Sequence, residues 1–195
     1  MDAVNAANQQ LSPSAIADRR MLLAYSGHLL TLAGKPDAAD RALNAALRTD
    51  AADANALEEL AQLRLAQDRR AEAVDILRRI ARPGADPRVL YQLAEATRGS
   101  EDYVAFERRA LETGGAKRQL VLYYAGPGNR PDEAERIARI EAARSGDIFA
   151  MDALAVALNA TGKVSEAKAA MRRVLAIGTK DPEILAQAKQ IGVAQ

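Results

Sequence analysis

His28 is the only histidine among the 195 residues, so any hydrolytic triad would have to be built on it. Ser26 is the nearest hydroxyl, but a spacing of two puts it on another face of a helix, and no Gly-x-Ser-x-Gly elbow occurs in the chain. Carboxylate pairs suited to acid–base work occur at Glu58-Glu59 and at Glu133 and Glu135. Both stand among arginines on amphipathic stretches, the usual pattern of a solvated face. Gly126-Pro127-Gly128 is too short to cradle phosphate and lacks the Lys-Ser/Thr ending of a P-loop. With no cysteine, zinc fingers, thiol chemistry and disulfide scaffolds are excluded. The expectation is a protein that is not an enzyme, with no catalytic, cofactor-binding or metal-binding residues.

Three arginine pairs recur in one context, as Leu77-Arg78-Arg79-Ile80, Glu107-Arg108-Arg109-Ala110 and Met171-Arg172-Arg173-Val174. On successive helices they would form a basic stripe able to meet an acidic partner or RNA. The plainer reading places them on outer faces, paired with Asp75, Glu107 or Glu112 at helical spacing. Overall charge argues the same way: 27 Lys+Arg against 26 Asp+Glu leave +1, without the positive surplus that draws proteins to nucleic acid or anionic lipid.

These residues need a scaffold, and composition names its class. Alanine fills 44 positions and leucine 22, while aromatics make up 4%; Ala and Leu head the helix scale and strand formers are scarce. No apolar run approaches the ~20 residues of a membrane span, the best candidate, 21–32, being interrupted by Ser26 and His28. Residues 1–10 have neither the basic start nor the apolar core of a signal peptide. A cytoplasmic location is expected, or a periplasmic one if a leader or upstream region has been removed.

A fixed period then decides the architecture. Leu23, Gly27, Gly34, Ala39, Leu43 and Ala46 align with Leu57, Ala61, Asp68, Ala73, Leu77 and Ile80 at a constant offset of 34. The same grammar returns at Met151, Leu154, Ala155, Leu158, Gly162, Ala167, Met171 and Val174. Two looser repeats lie between, one on Leu90, Leu93, Ala94, Tyr103, Phe106 and Ala110, with about a turn missing near 97–101. The other runs over Leu120, Leu122, Tyr123, Tyr124, Ala134, Ile137 and Ala138. Each repeat reads as two amphipathic helices. Ser12-Pro13, Asp86-Pro87 and Asp181-Pro182 mark helix starts, and Gly84, Gly114, Gly146 and Gly178 follow helix ends. Gly27, Ala61, Ala94 and Ala155 are expected to meet Ala39, Ala73 and Ala167 where paired helices approach closely.

This pattern resembles the tetratricopeptide repeat (TPR) family, as an Ala/Arg-rich, bacterial-type member of about five repeats. The family's large early residue falls on Leu23, Leu57, Leu90 and Met151, and its leucine plus small residue on Leu60-Ala61, Leu93-Ala94 and Leu154-Ala155. Its inter-helix glycine falls on Gly34 and Gly162 and its small second-helix residue on Ala39, Ala73 and Ala167. Ser26 stands in place of the leucine, Asp68 in place of the glycine, and Ala51 and Thr179 in place of the prolines. The resemblance implies an all-α, right-handed superhelical solenoid of antiparallel helix pairs. Residues 1–12 would form a tail or partial capping helix and 13–195 a single solenoid, with repeats at 18–53, 54–86, 87–115, 116–146 and 147–180 and a cap at 181–191.

It also implies a concave groove lined by the first helices. The residues expected there are Met21, Ala24, His28 and Thr31, then Asn55, Glu58 and Gln62, then Tyr91, Glu95 and Arg98, then Asp152, Val156 and Asn159. The function expected is a non-catalytic scaffold or adaptor that binds a protein or peptide of unknown identity, without membrane insertion and with nucleic acid disfavoured. Self-association is left open. The family's Lys and Asn set for a C-terminal carboxylate is replaced here by Ala24 and His28. A structural segment of a larger envelope, secretion or polysaccharide-export assembly is the alternative reading, and an RNA-binding helical repeat stands third.

Overall fold

A computed structural model describes residues 12–193. Eleven helices follow one another among the described residues, with no strand between them. They are α1 (Pro13–Leu32), α2 (Pro36–Thr49), α3 (Ala54–Ala66), α4 (Arg70–Ile80), α5 (Pro87–Thr97), α6 (Ser100–Thr113), α7 (Lys117–Ala125), α8 (Pro131–Arg144), α9 (Ile148–Ala160), α10 (Val164–Leu175) and α11 (Pro182–Ile191). The described residues are all-α and built of helical hairpins, as the repeat pattern leads one to expect. It divides into two compact units, Met1–Asp102 and Tyr103–Gln195.

In the N-terminal unit α1 pairs with α2 and α3 with α4, and α5 packs on α4. The residues aligned at 34 are the ones that bury: Ala39, Leu43, Ala61, Ala73 and Leu77 are fully enclosed. Ala61, Ala73 and Leu77 share one cluster with Val89, Leu93 and Ala96. Over Gly27 sits Leu43, so close that an added Cβ would lie 2.5 Å from its side chain. The small residue there makes room for a large one on the facing helix, a closer fit than the small-on-small contact with Ala39 that spacing suggested.

In the C-terminal unit α7 pairs with α8 and α9 with α10, and α11 covers α9 and α10. Ala155, Ala167, Met171, Val174, Ile184, Ala188 and Ile191 form its main core. The scarce aromatics gather at its start: the Tyr123 ring stacks on Tyr103 at 5.1 Å and meets Phe106 edge-on at 5.8 Å.

Helix starts alternate in kind. Four of the five first helices are capped by side chains, Ser12, Asp53, Asp86 and Asp147 each accepting from a first-turn amide, while α7 starts after Ala116 without one. Second helices α2, α4, α8 and α10 have Lys35, Arg69, Arg130 and Lys163 before them and no side-chain cap. Those four residues donate their backbone amides to Leu30, Arg64, Tyr124 and Leu158 in the preceding helix, so the tight turn itself sets the start of the second helix. The turn between the two helices of each pair places one residue in the left-handed region: Gly34, Asp68, Arg98, Asn129 and Gly162. The turn at Arg98 follows only 30 residues after Asp68: α4 has 11 residues where α2 has 14, α5 has 11 where α3 has 13, and Arg98 follows its helix directly, a loss only partly offset by the longer connection before α5. The missing turn is thus spread over α4 and α5 rather than concentrated near 97–101.

Candidate partner groove

Met21, Ala24, Asn55 and Glu58 come together in the N-terminal unit, in a groove of about 460 Å³ whose wall is completed by Ala17, Asp18, Arg20, Tyr25, Asp53, Glu59 and Arg88. All three first helices contribute, α1 and α3 through one stripe each and α5 through Arg88. Four carboxylates face two guanidiniums across this space. Both guanidiniums are already engaged, Arg20 with Asp50 at 2.9 Å and Asp53 at 2.7 Å, and Arg88 with Asp86 at 3.2 Å.

Glu58 is half-buried and accepts from the Gln92 amide at 2.8 Å. Burial pushes its carboxyl above the ordinary range; Arg88 and the Gln92 bond pull it back, while Glu59 and Asp86 add like-charge repulsion. Beside it Glu59 holds His28, whose Nδ1 lies 2.8 Å from the carboxylate, and the His28 ring stacks on Tyr25 at 6.4 Å. His28 is therefore tied to a carboxylate on the neighbouring helix at the edge of the groove.

The other expected residues occupy different settings. Thr31 donates its hydroxyl to the Gly27 carbonyl at 3.0 Å. Gln62 and Tyr91 are half-buried and Glu95 is exposed. Arg98 lies beyond the end of α5 as the left-handed residue of the turn, so it is no part of a first-helix stripe. On α9, Val156 and Asn159 are half-buried.

Asp152, also on α9, is fully buried, where the spacing suggested an open groove wall. Arg118 from α7 donates to its Oδ2 through Nε at 3.0 Å and Nη2 at 2.7 Å. Gln187 from α11, with its amide nitrogen turned inward, donates to the same oxygen at 2.9 Å. Arg118 also reaches Glu183 at 2.8 Å and lies over the Phe149 ring at 5.6 Å. Ala24 is buried as well, at the groove floor.

The partners that spacing alone did not single out stand on a ladder. Gln92 follows Glu58 by 34 residues, and Arg118 precedes Asp152 by the same 34. Arg118 and Asp152 thus hold one repeat position in adjacent first helices, whereas Gln92, in the shortened third repeat, stands one residue past Tyr91, the counterpart of Glu58 when Leu90 is aligned with Leu57. The 34-residue period carried that signal, because it stacks polar residues as surely as it stacks core ones. Ala24 occupies the rung before Glu58, and a methyl group leaves open the space that the Arg118 guanidinium fills beside Asp152.

Of the arginine pairs, Arg79 donates to the Ala51 carbonyl at 3.1 Å and Arg109 lies 3.7 Å from Glu112. Arg172 and Arg173 are exposed on α10. Glu107 is taken instead by Arg130 and by the Tyr124 hydroxyl, at 2.9 Å from the latter.

The class these observations define is an all-α helical-hairpin repeat protein whose first helices carry a polar ladder. No family profile and no curated protein matches the chain. Among solved structures it is similar to the crystal structure of YrrB, a TPR protein with an unusual peptide-binding site. The two share 18% identity with a TM-score of 0.45, over 97% of this chain and 98% of that one. Among the described residues no helix is long and apolar enough to cross a membrane.

Proposed function

We propose that the chain is a non-catalytic binding scaffold whose N-terminal groove holds an extended protein segment by an arginine or lysine seated against Glu58. One observation carries the reading. In the C-terminal unit the same repeat position is satisfied within the chain by Arg118, whereas at Glu58 the corresponding rung is Ala24 and the space is open. A cation entering there would meet Glu58 with Glu59 and Asp18 near by, and would offset the burial that, with a smaller like-charge contribution from Glu59 and Asp86, raises the Glu58 carboxyl. Apolar wall from Met21, Ala17 and Tyr25 supplies contact for the segment's stem and neighbours.

Displayed random peptides selected on the intact chain test this reading. The enriched sequences should share one basic residue, and Ala24→Arg, which supplies the guanidinium from within, should lower their affinity about tenfold or more, the scale of one charge-assisted hydrogen bond. Enriched sequences without a common cation, binding indifferent to Ala24→Arg, or no enrichment at all would each reject it.

A further inference from the structure

Of the three arginine pairs, the one in the last turn of α4 borders a hollow in the protein surface. Arg79 and Arg82, with Ala52, Ala54, Leu57 and Ile80, line a recess of about 170 Å³ between the start of α3 and the end of α4. It shares no residue with the groove beside Glu58. Its floor is apolar, Leu57 being buried and Ile80 half-buried, and its charged walls are the two guanidiniums.

Both arginines are exposed, yet each is held by the backbone. Arg79 donates through Nη2 to the Ala51 carbonyl at 3.1 Å, and Arg82 through Nε to the Arg79 carbonyl at 2.9 Å. The second bond satisfies a carbonyl in the last turn of α4, where the helix dipole also favours a cation. Such bonds orient the side chains without neutralising them. Among the described residues neither guanidinium pairs with a carboxylate, although Asp75 precedes Arg79 by the four residues of a helical ion pair. At the corresponding place in the third repeat, Arg109 lies 3.7 Å from Glu112.

We propose that this recess binds the carboxylate of an acidic side chain on a partner protein, its oxygens held by Arg79 and Arg82 and its methylene stem resting on Leu57 and Ile80. Guanidinium forks bind a carboxylate through paired N–H groups, and these two arrive already oriented, so little side-chain freedom is lost on binding. The surroundings favour one negative charge over two. Asp50 and Asp53, flanking Ala51 and Ala52, share the single cation Arg20, which leaves a net negative charge beside the recess. A phosphate dianion would meet that repulsion at twice the strength a carboxylate does. The apolar floor also offers no partner to the hydroxyls of a ribose, which disfavours RNA. Because the recess and the groove share no residue, either site can fail without the other.

Titration of the intact chain with acetyl-Leu-Glu-Leu-amide tests it, read from the backbone amide resonances of Ala52 and Ala54 and the Nε–H resonances of Arg79 and Arg82. Saturable shifts with a dissociation constant of about 1–10 mM are expected, the range of one carboxylate held by charge-assisted bonds. The same peptide with glutamine in place of glutamate should bind about tenfold more weakly or worse. Arg79→Gln should weaken the glutamate peptide about tenfold, and Ala54→Leu, which fills the recess and keeps both cations, by as much. Arg41→Gln, at an exposed arginine of α2, should change nothing. Asp2→Asn should also change nothing; Asp2 carries the one carboxylate side chain of residues 1–11. Inorganic phosphate and deca-uridylate should each bind more weakly than the glutamate peptide. No saturable shift, equal binding of the two peptides, indifference to Ala54→Leu, or an Arg41→Gln loss matching that of Arg79→Gln would overturn the proposal. So would phosphate or RNA binding as tightly as the peptide, or a gain in affinity on Asp2→Asn, which would mean that the chain fills the recess itself.

Discussion

Glu58 and Asp152 hold the same place in their repeats, one residue after Leu57 and Met151, and the two units treat them in opposite ways. Glu58 keeps one neutral donor, Gln92, and faces an open groove. Asp152 is enclosed, with a guanidinium on one side and an amide on the other. The helices around the two are alike; what differs is the residue on the adjacent rung, Ala24 for one and Arg118 for the other. The scaffold thus opens a groove by omission: beside Ala24 the ladder position is left facing the cleft, and beside Arg118 the same position becomes part of the core.

The comparison can be broken most directly by stability. Asp152→Ala should cost the C-terminal unit about 3 kcal/mol, because it leaves Arg118 partly buried with Glu183 as its remaining partner. Glu58→Ala should cost under about 1 kcal/mol, since it removes one bond at an open site. Urea unfolding of both variants, followed by amide exchange to assign the loss to α3 or α9, measures the difference. Equal losses would mean that the two carboxylates are held alike.

A second difference is the response to acid. Burial lifts the Asp152 carboxyl to about 6, with Arg118 offsetting part of that rise by charge and hydrogen bonds. The folded state therefore binds a proton more readily than the unfolded chain between about pH 4 and pH 6. Stability contributed at this site falls as the pH rises through that window and is level above it, by on the order of 2 kcal/mol. Glu135 runs the other way. Bonds from Lys163, Thr161 and Arg139, in that order, hold its carboxyl at about 2, so its contribution is present above pH 4.5 and is lost as pH falls toward 2. Unfolding curves of the native chain minus those of Asp152→Asn isolate the first effect. A difference that is flat from pH 4 to 6, or that rises with pH, would contradict it.

How these sites escape or yield to sequence reasoning follows from what the 34-residue offset carries. It identifies Leu57, Ala61, Ala73 and Leu77 as core, and all four are enclosed, because burial at those places depends on one repeat packing against itself and its neighbour. Met21, Asn55 and Glu58 fall on the groove for the same reason. Asp152 does not, because its burial depends on Arg118 in the loosest repeat, and a carboxylate on a first helix reads as solvated until its partner is known.

The smallest expected difference between the units lies in their turns. Asp68 and Gly162 occupy corresponding left-handed positions, at φ 59° and 78°. An L-residue there carries a Cβ clash of about 1–2 kcal/mol, reduced for Asp, whereas glycine carries none but loses more chain entropy on folding. No atom lies within 4 Å of where a Gly162 Cβ would sit, so a side chain there would act on the backbone alone. Asp68→Gly should therefore stabilise the N-terminal unit by only about 0.5 kcal/mol, the clash relieved being mostly offset by entropy, and Gly162→Ala should destabilise the C-terminal unit by about 1 kcal/mol. Thermal unfolding of the two variants side by side reads both signs. If Asp68→Gly proved as destabilising as Gly162→Ala, Asp68 would have to be holding its turn by its carboxylate, and the N-terminal unit would depend at this turn on a side-chain contact that its counterpart does without.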